Sequence, residues 1–144
     1  SGIVNPIEEI GQAVKSHDKV FMVDAMSSFG ALPLHMVEQN IDVMVSSSNK
    51  CLEGVPGFSY VVVKRDLLEA SAGACHSVVL DLFDQWRGLE TNGQFSLTPH
   101  THALVAFDLN IADGAAARIA DLLLFAFRRC YGGGDDGEIT GASQ

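Results

Sequence analysis

The spacing of apolar residues changes along the chain, and each change marks an element. Ile7, Ile10 and Val14 recur at helical intervals and define one apolar face. Just before them, Asn5 suits a helix cap, Pro6 sits where a missing N–H costs nothing, and Glu8 falls at the capping-box position. The spacing predicts a helix that starts near Pro6, buries that face and closes in the polar residues 15–19. Residues 20–23 are then continuously apolar and stop abruptly at Asp24, which predicts a short strand buried on both faces. A turn rich in Ser, Gly and Pro over 27–33 and a short helix over 34–39 come next. A second buried strand over 41–45 runs into the polar string Ser46-Ser47-Ser48-Asn49-Lys50. After the loop Gly54-Val55-Pro56-Gly57, residues 58–63 read as a third strand and 64–70 as the start of a helix.

Alternation of this kind predicts an α/β sheet. Ligands of such sheets gather at the carboxyl ends of the strands, and Asp24 and Lys50 both fall there. The pattern weakens beyond Ser71. Residues 80–87 read as a strand end or an irregular segment, 91–93 as a turn, and Thr98-Pro99 as the lead into a helix from about His102 to Phe107. Further on, 122–127 is almost continuously apolar, and the Gly/Asp-rich stretch 132–144 is expected to be disordered.

Composition narrows the partners. With 47% hydrophobic and 19% charged residues, a packed domain is expected rather than a disordered chain. A net charge of -9, with only 9 basic residues and no basic stripe, argues against nucleic-acid binding. No apolar run approaches the roughly 20 residues of a membrane span, so no membrane partner is expected. Cys51, Cys75 and Cys130 are an odd set without a CxxC, which suits a reducing compartment and not a structural zinc site. The five histidines (His17, His35, His76, His100 and His102) lack metal-ligand spacing, so no metal is expected. Ser1-Gly2 brings no initiator Met and no secretory signal and reads as an internal cut. A cytoplasmic location is expected, with an organellar targeting peptide upstream left open.

Asp24 and Lys50 are the residues with chemistry to offer. A carboxylate buried at a strand end needs a cation, and a protonated pyridine nitrogen is one; keeping that nitrogen protonated makes pyridoxal 5'-phosphate an electron sink. Apolar surroundings favour the neutral, nucleophilic form of a lysine. The bland reading is that Asp24 caps the next helix after its strand and Lys50 is a solvated loop residue. The pair alone does not decide between these readings.

The strings around the pair do. Residues 1–10 (SGIVNPIEEI), 23–30 (VDAMSSFG), 46–57 (SSSNKCLEGVPG), 80–86 (LDLFDQW) and 92–95 (NGQF), with Asp24 and Lys50 separated by 50 − 24 = 26 positions, resemble the 2-aminoethylphosphonate–pyruvate aminotransferases. These are class V enzymes of fold-type I. The resemblance covers 1–107, most of the chain, and leaves 108–144 unmatched. It implies a piece of the large pyridoxal-phosphate-binding domain, a mostly parallel sheet with flanking helices. It also implies amino transfer from 2-aminoethylphosphonate to pyruvate, giving phosphonoacetaldehyde and alanine, by a homodimer acting on small amine and 2-oxo acid substrates.

Residue by residue, the resemblance implies that Lys50 is the Schiff-base lysine and proton carrier and that Asp24 pairs with the pyridine nitrogen. Met26 would pack on the ring, where a thioether suits an aromatic face, and Asn49 would reach the cofactor phosphate. Thr101 would contact the phosphate of the partner subunit's cofactor, as a hydroxyl at a helix N-terminus can. His100 departs from the small residue or proline of the family and puts that local geometry in doubt. Arg87 suits an anionic substrate, although a structural ion pair is the stronger reading. Glu53, Gly54 and Gly57 are expected to shape the loop after Lys50.

Two rivals stand beside this reading. Alanine–glyoxylate or serine–pyruvate aminotransferases share the Asp and Lys but not the 81–86 string. A catalytically inactive fragment or dimerisation module is the other, because the family's phosphate loop, stacking aromatic and substrate-carboxylate arginine lie outside the matched segment. Strands taken from such a sheet expose edges and apolar faces.

Overall fold

The computed structural model describes residues 2–112, with side chains as far as residue 109. The apolar run at 122–127 and the Gly/Asp-rich stretch expected to be disordered lie outside the described residues. Four helices and three strands succeed one another: α1 (Ile7–Ser16), β1 (Met22–Asp24), β2 (Val43–Ser47), β3 (Ser59–Val63), α2 (Arg65–Ala70), α3 (Leu82–Asn92) and α4 (Thr101–Ala112). The strands form one sheet in the order β1-β2-β3. β1 runs parallel to β2, with Asp24 opposite Val45, and β3 returns antiparallel, with Tyr60 opposite Ser46 and Ser59 opposite Ser47. The α/β class is as expected, and among the described strands the sheet is mixed.

Register divides the sheet into two faces, because side chains alternate along each strand. Val23, Met44, Ser46, Tyr60 and Val62 share one face. Met22, Asp24, Val43, Val45, Ser47, Ser59, Val61 and Val63 share the other. The first face carries the core: Val23, Ala25, Ile41 and Met44 are buried there, with Ile7 of α1 and Phe29, Leu34 and Met36 of the β1–β2 connection packed over them. Val23, Ile41 and Met44 each contribute about 1.5–3 kcal/mol on burial. Leu52 and Phe107 form a second buried pair with Phe29, Phe58 and Tyr60 around it. The second cluster ties α4 to the loop that carries Lys50.

Several sequence expectations need correction. Asn5 does not cap α1 with its side chain. Pro6 occupies the cap position without a side-chain hydrogen bond, and it is the Asn5 carbonyl that accepts the Ile7 amide at 2.9 Å. The buried face of α1 centres on Gly11, while Ile10 is exposed. Helical spacing located the face, but the close approach of α1 to the Gln39 carbonyl leaves room only for a glycine. β1 is covered on one face only, since Met22 is 63% exposed. Residues 34–39 form turns and no helix. There the Gln39 side-chain carbonyl accepts the His35 amide at 2.9 Å, and Asn40 takes a φ of 55° that ends any helical run. The second strand lies two residues later than expected, at 43–47, so Ser46 and Ser47 belong to it.

Residues 80–87 do not end a strand; they contain the start of α3. Asp81 caps this helix by accepting the Asp84 amide at 2.9 Å, and Gly93 ends it in the left-handed conformation (φ 71°). The expected turn at 91–93 is therefore the helix end. α2 begins at Arg65 and α4 at Thr101, each one residue from expectation. No helix among the described residues is long and apolar enough to cross a membrane.

Candidate active site

Asp24 is the last residue of β1, and Lys50 lies three residues beyond the end of β2. Because these neighbouring strands are parallel, both residues emerge at the same end of the sheet. The sheet continues just past Asp24, where the Ala25 amide donates to Val45 O at 2.9 Å. The chain then folds into a compact turn. Asp24 Oδ1 accepts the Met26 amide at 2.9 Å, and the Ser28 and Phe29 amides both donate to Ala25 O. A carboxylate that closes its own turn in this way has a fixed orientation, and among the described residues it has no partner on Oδ2.

Lys50 sits on a loop with its own closure. Gly54 N donates to Ser48 O at 2.8 Å, Glu53 N to Lys50 O at 2.8 Å, and Ser48 Oγ to Val55 O at 2.7 Å. Glu53 takes a positive φ of 58°. A Cβ at Gly54 would lie 2.8 Å from Ser48 O and 2.9 Å from Phe107, and one at Gly57 would lie 2.6 Å from Ala103. These two glycines let α4 press against the loop, so Glu53, Gly54 and Gly57 do shape it.

The expected burial of the pair is not met. Asp24 and Lys50 are both exposed. No ion pair joins them, and the Lys50 amine has no hydrogen-bond partner among the described residues. An exposed lysine lacks the apolar surroundings that the sequence suggested, and the sheet face carrying Asp24 is uncovered at β1. Met26 is half-buried beside the carboxylate and Asn49 is exposed next to Lys50. Thr101 stands at the first turn of α4, its hydroxyl donating to Pro99 O at 3.3 Å. His100 does not distort that start, since its carbonyl accepts the Leu104 amide at 3.1 Å. Arg87 pairs with Asp84 at 2.9 Å on the surface of α3 and covers the Phe83 ring. It is engaged in the structural ion pair.

One residue escaped the sequence reading. Ser47 Oγ is buried without a hydrogen-bond partner among the described residues, and the register puts it on the face of Asp24. An unpartnered buried hydroxyl costs roughly 1–3 kcal/mol, so this one is suited to a ligand group at the strand ends. Its parity with Asp24 comes only from the pairing of β1 with β2; in the sequence it is one of three serines. Among the described residues, Tyr60 Oη is the other buried side-chain atom without a partner. Burial pushes its phenol up to about 12. Ser46 lies close enough to temper that rise, but its hydroxyl donates to Ala25 O instead.

A mixed α/β sheet with an aspartate and a lysine at the carboxyl ends of adjacent parallel strands has the architecture of the large domain of fold-type I aminotransferases. Solved structures agree. Pyridoxamine-pyruvate aminotransferase from Mesorhizobium loti superposes with a TM-score of 0.65 at 29% identity, over 81% of this chain and 32% of that one. Alanine–glyoxylate aminotransferase from Nostoc shares the fold at a TM-score of 0.61 and 16% identity, over 83% of this chain and 34% of its own. The family model of class-V aminotransferases matches residues 1–114. The chain belongs to the class-V aminotransferase family. Among curated relatives, the 2-aminoethylphosphonate–pyruvate transaminase of Syntrophobacter fumaroxidans is 47% identical over 126 residues, 83% of this chain and 34% of its own length. That of Lysinibacillus sphaericus is 48% identical over 107 residues, 74% of this chain and 29% of its own length. The chain thus spans about a third of the length of the curated relatives it matches.

Proposed function

We propose that this chain carries the cofactor-holding centre of an aminotransferase that uses pyridoxal 5'-phosphate to move the amino group of 2-aminoethylphosphonate to pyruvate, giving phosphonoacetaldehyde and alanine. The observation that carries the proposal is the emergence of Asp24 and Lys50 at one end of two parallel strands, in a chain 47% and 48% identical over the matched residues to transaminases of that name.

The residues present fit the cofactor. Asp24 keeps Oδ2 free for a ring N–H while the Met26 amide holds Oδ1. The unpaired Lys50 amine is able to bond to an aldehyde, and the orphaned Ser47 hydroxyl, with Asn49, offers polar contacts for a phosphate. When bound, pyridoxal phosphate supplies an electron sink that weakens a C–H bond of the substrate. Asp24 keeps that sink charged. Lys50 would hold the aldehyde carbon of the group, and its Nζ would serve as the base that carries the proton to and from the amino-bearing carbon of the substrate. Met26 packs against the ring, and Thr101 serves the site of a partner subunit in a homodimer.

The test is chemical. The chain is incubated with pyridoxal phosphate, reduced with borohydride and mapped by mass spectrometry; a pyridoxyl group on Lys50 is expected, and labelling that spares Lys50 overturns the assignment. In the full-length protein, pyruvate-dependent consumption of 2-aminoethylphosphonate is expected, whereas transfer confined to alanine and glyoxylate selects the rival substrate class.

A second reading rests on the chain covering only about a third of its relatives. It makes this chain an inactive fragment whose remaining role is association. Lys50 labelled in the full-length protein but not in this chain selects it.

A further inference from the structure

Between the Asp24 turn and the Lys50 loop lies a contact that neither residue makes itself. Gly30 has a φ of 98°, and a Cβ there would lie 2.8 Å from Leu52 Cδ2 and 3.5 Å from the Cys51 backbone. Leu52 is 2% exposed. It fills the slot left by the missing Cβ and packs with Phe107, Phe29 and Phe58 around it. One residue earlier, the Cys51 thiol donates to Ser27 O at 3.4 Å. The turn is braced from within by the Ser28 and Phe29 amides on Ala25 O and by the Leu32 amide on Ser28 O. The loop is braced by Gly54 N on Ser48 O. Two internally braced segments therefore meet through Leu52 on Gly30, with the Cys51–Ser27 hydrogen bond beside it.

We infer that Leu52 and Gly30 are positioning residues: Leu52 seated over Gly30 locks the Lys50 loop to the Asp24 turn and fixes the spacing between the carboxylate and the amine. The role of that spacing rests on the function proposed above; the lock itself does not. Both functional side chains are exposed and unpaired with each other, so no direct bond sets their separation. Close-packed contacts transmit displacement rather than absorb it, and a site held on two separate loops needs such a support to stay within a fraction of an ångström of its working geometry.

The experiment reads the lock without the cofactor first. Leu52→Val removes the Cδ atoms at little volume cost, and Gly30→Ala intrudes on them. Amide exchange is monitored at Met26 and Phe29 in the turn, at Glu53 and Gly54 in the loop, and at Val45 in the sheet as a control. Each substitution is expected to speed exchange about tenfold in the segment it does not belong to, with Val45 unchanged. The Gly30→Ala/Leu52→Val pair is expected to fall short of the sum of the single effects. Effects confined to the substituted segment, or strictly additive, overturn the lock. Should Gly30→Ala fail to fold, Leu52→Val read at Met26 and Phe29 decides by itself. A second arm measures the rate of pyridoxal phosphate capture on Lys50 trapped by borohydride, which is expected to fall about tenfold in Leu52→Val. An unchanged capture rate overturns the positioning role. Lys50 unlabelled both in this chain and in the full-length protein overturns the cofactor assignment, with the exchange arm still reporting on the lock.

Discussion

Lys64 Nζ lies 2.6 Å from Asp42 Oδ1 at the end of the sheet opposite Lys50. The same carboxylate accepts the Phe21 amide at 2.9 Å, while the Asp42 amide donates to Phe21 O and the Asp42 carbonyl accepts the Lys64 amide. One aspartate thereby gathers the start of β1, the start of β2 and the end of β3. Its surface is covered, though only shallowly, because Lys64 remains 39% exposed.

That latch makes stability depend on acid. The Lys64 hydrogen bond, then the Phe21 amide, hold the Asp42 carboxyl below its ordinary value. A lowered folded-state value means the stabilisation is complete above the unfolded carboxylate value, about 3.9, and is lost as pH falls through the lower folded value. Asp42→Asn is expected to cost about 1–2 kcal/mol at pH 7, after allowance for solvent around Lys64, and to flatten the acid limb below pH 4. Urea midpoints of parent and variant across pH 2–7 check this; equal midpoints at pH 7 remove the latch from the account of stability.

Tyr60 makes the alkaline counterpart. Its buried phenol ionises only at about 12, because burial penalises the anion. A folded-state value raised above the unfolded one, about 10, gives stability that is complete below that unfolded value and is lost as pH rises through the folded one. The chain has two tyrosines, so Tyr131→Phe leaves Tyr60 as the sole phenol. Its ultraviolet titration is expected to track alkaline unfolding and not the ordinary range. Tyr60→Phe removes an orphaned hydroxyl and is expected to be neutral or to stabilise by up to about 1 kcal/mol.

Gly11 tests packing against propensity. In an exposed helix, glycine to alanine gains about 1 kcal/mol. Here a Cβ would run into the backbone carbonyl of Gln39, with the Phe21 ring close behind at 3.3 Å. Gly11→Ala is therefore expected to destabilise by about 1–3 kcal/mol, and a raised melting temperature in calorimetry counts against this docking of α1.

These cases also mark what the sequence could reveal. Helical spacing in 7–14, the apolar runs before Asp24 and Lys50, and the strings around the pair were legible because each is local. The identity of α3 was not, since its start depends on Asp81 acting as a cap and its first turn mixes Leu82 and Phe83 with Asp84. Residues 34–39 depart from their helical pattern because the Gln39 side chain takes the His35 amide and Asn40 adopts a positive φ, neither of which apolar spacing reveals. Burial of Asp24 and Lys50 was misjudged for a different reason. An apolar run says that a strand can be covered, not that this length of chain supplies the cover. Ser47 and the Leu52–Gly30 contact were invisible because they exist only through strand pairing and loop packing.

The carboxylate of Asp24 leads to the last expectation. Its Oδ1 is committed to the Met26 amide, so Asp24→Asn preserves the turn if the amide oxygen takes that position, while the charge is removed. A charge-assisted hydrogen bond is worth about 1.5–3 kcal/mol, which predicts a loss of cofactor affinity of roughly 10- to 100-fold in the full-length protein. Lys50→Arg is expected to abolish borohydride-stable labelling at position 50, because a guanidinium stays protonated and cannot attack an aldehyde. The two variants separate holding from bonding. Equilibrium dialysis should find Asp24→Asn weak but still labelled at Lys50, and Lys50→Arg unlabelled but still able to bind. If Asp24→Asn binds as tightly as the parent, the carboxylate does not face the ring nitrogen and the turn at Met26 is its whole role.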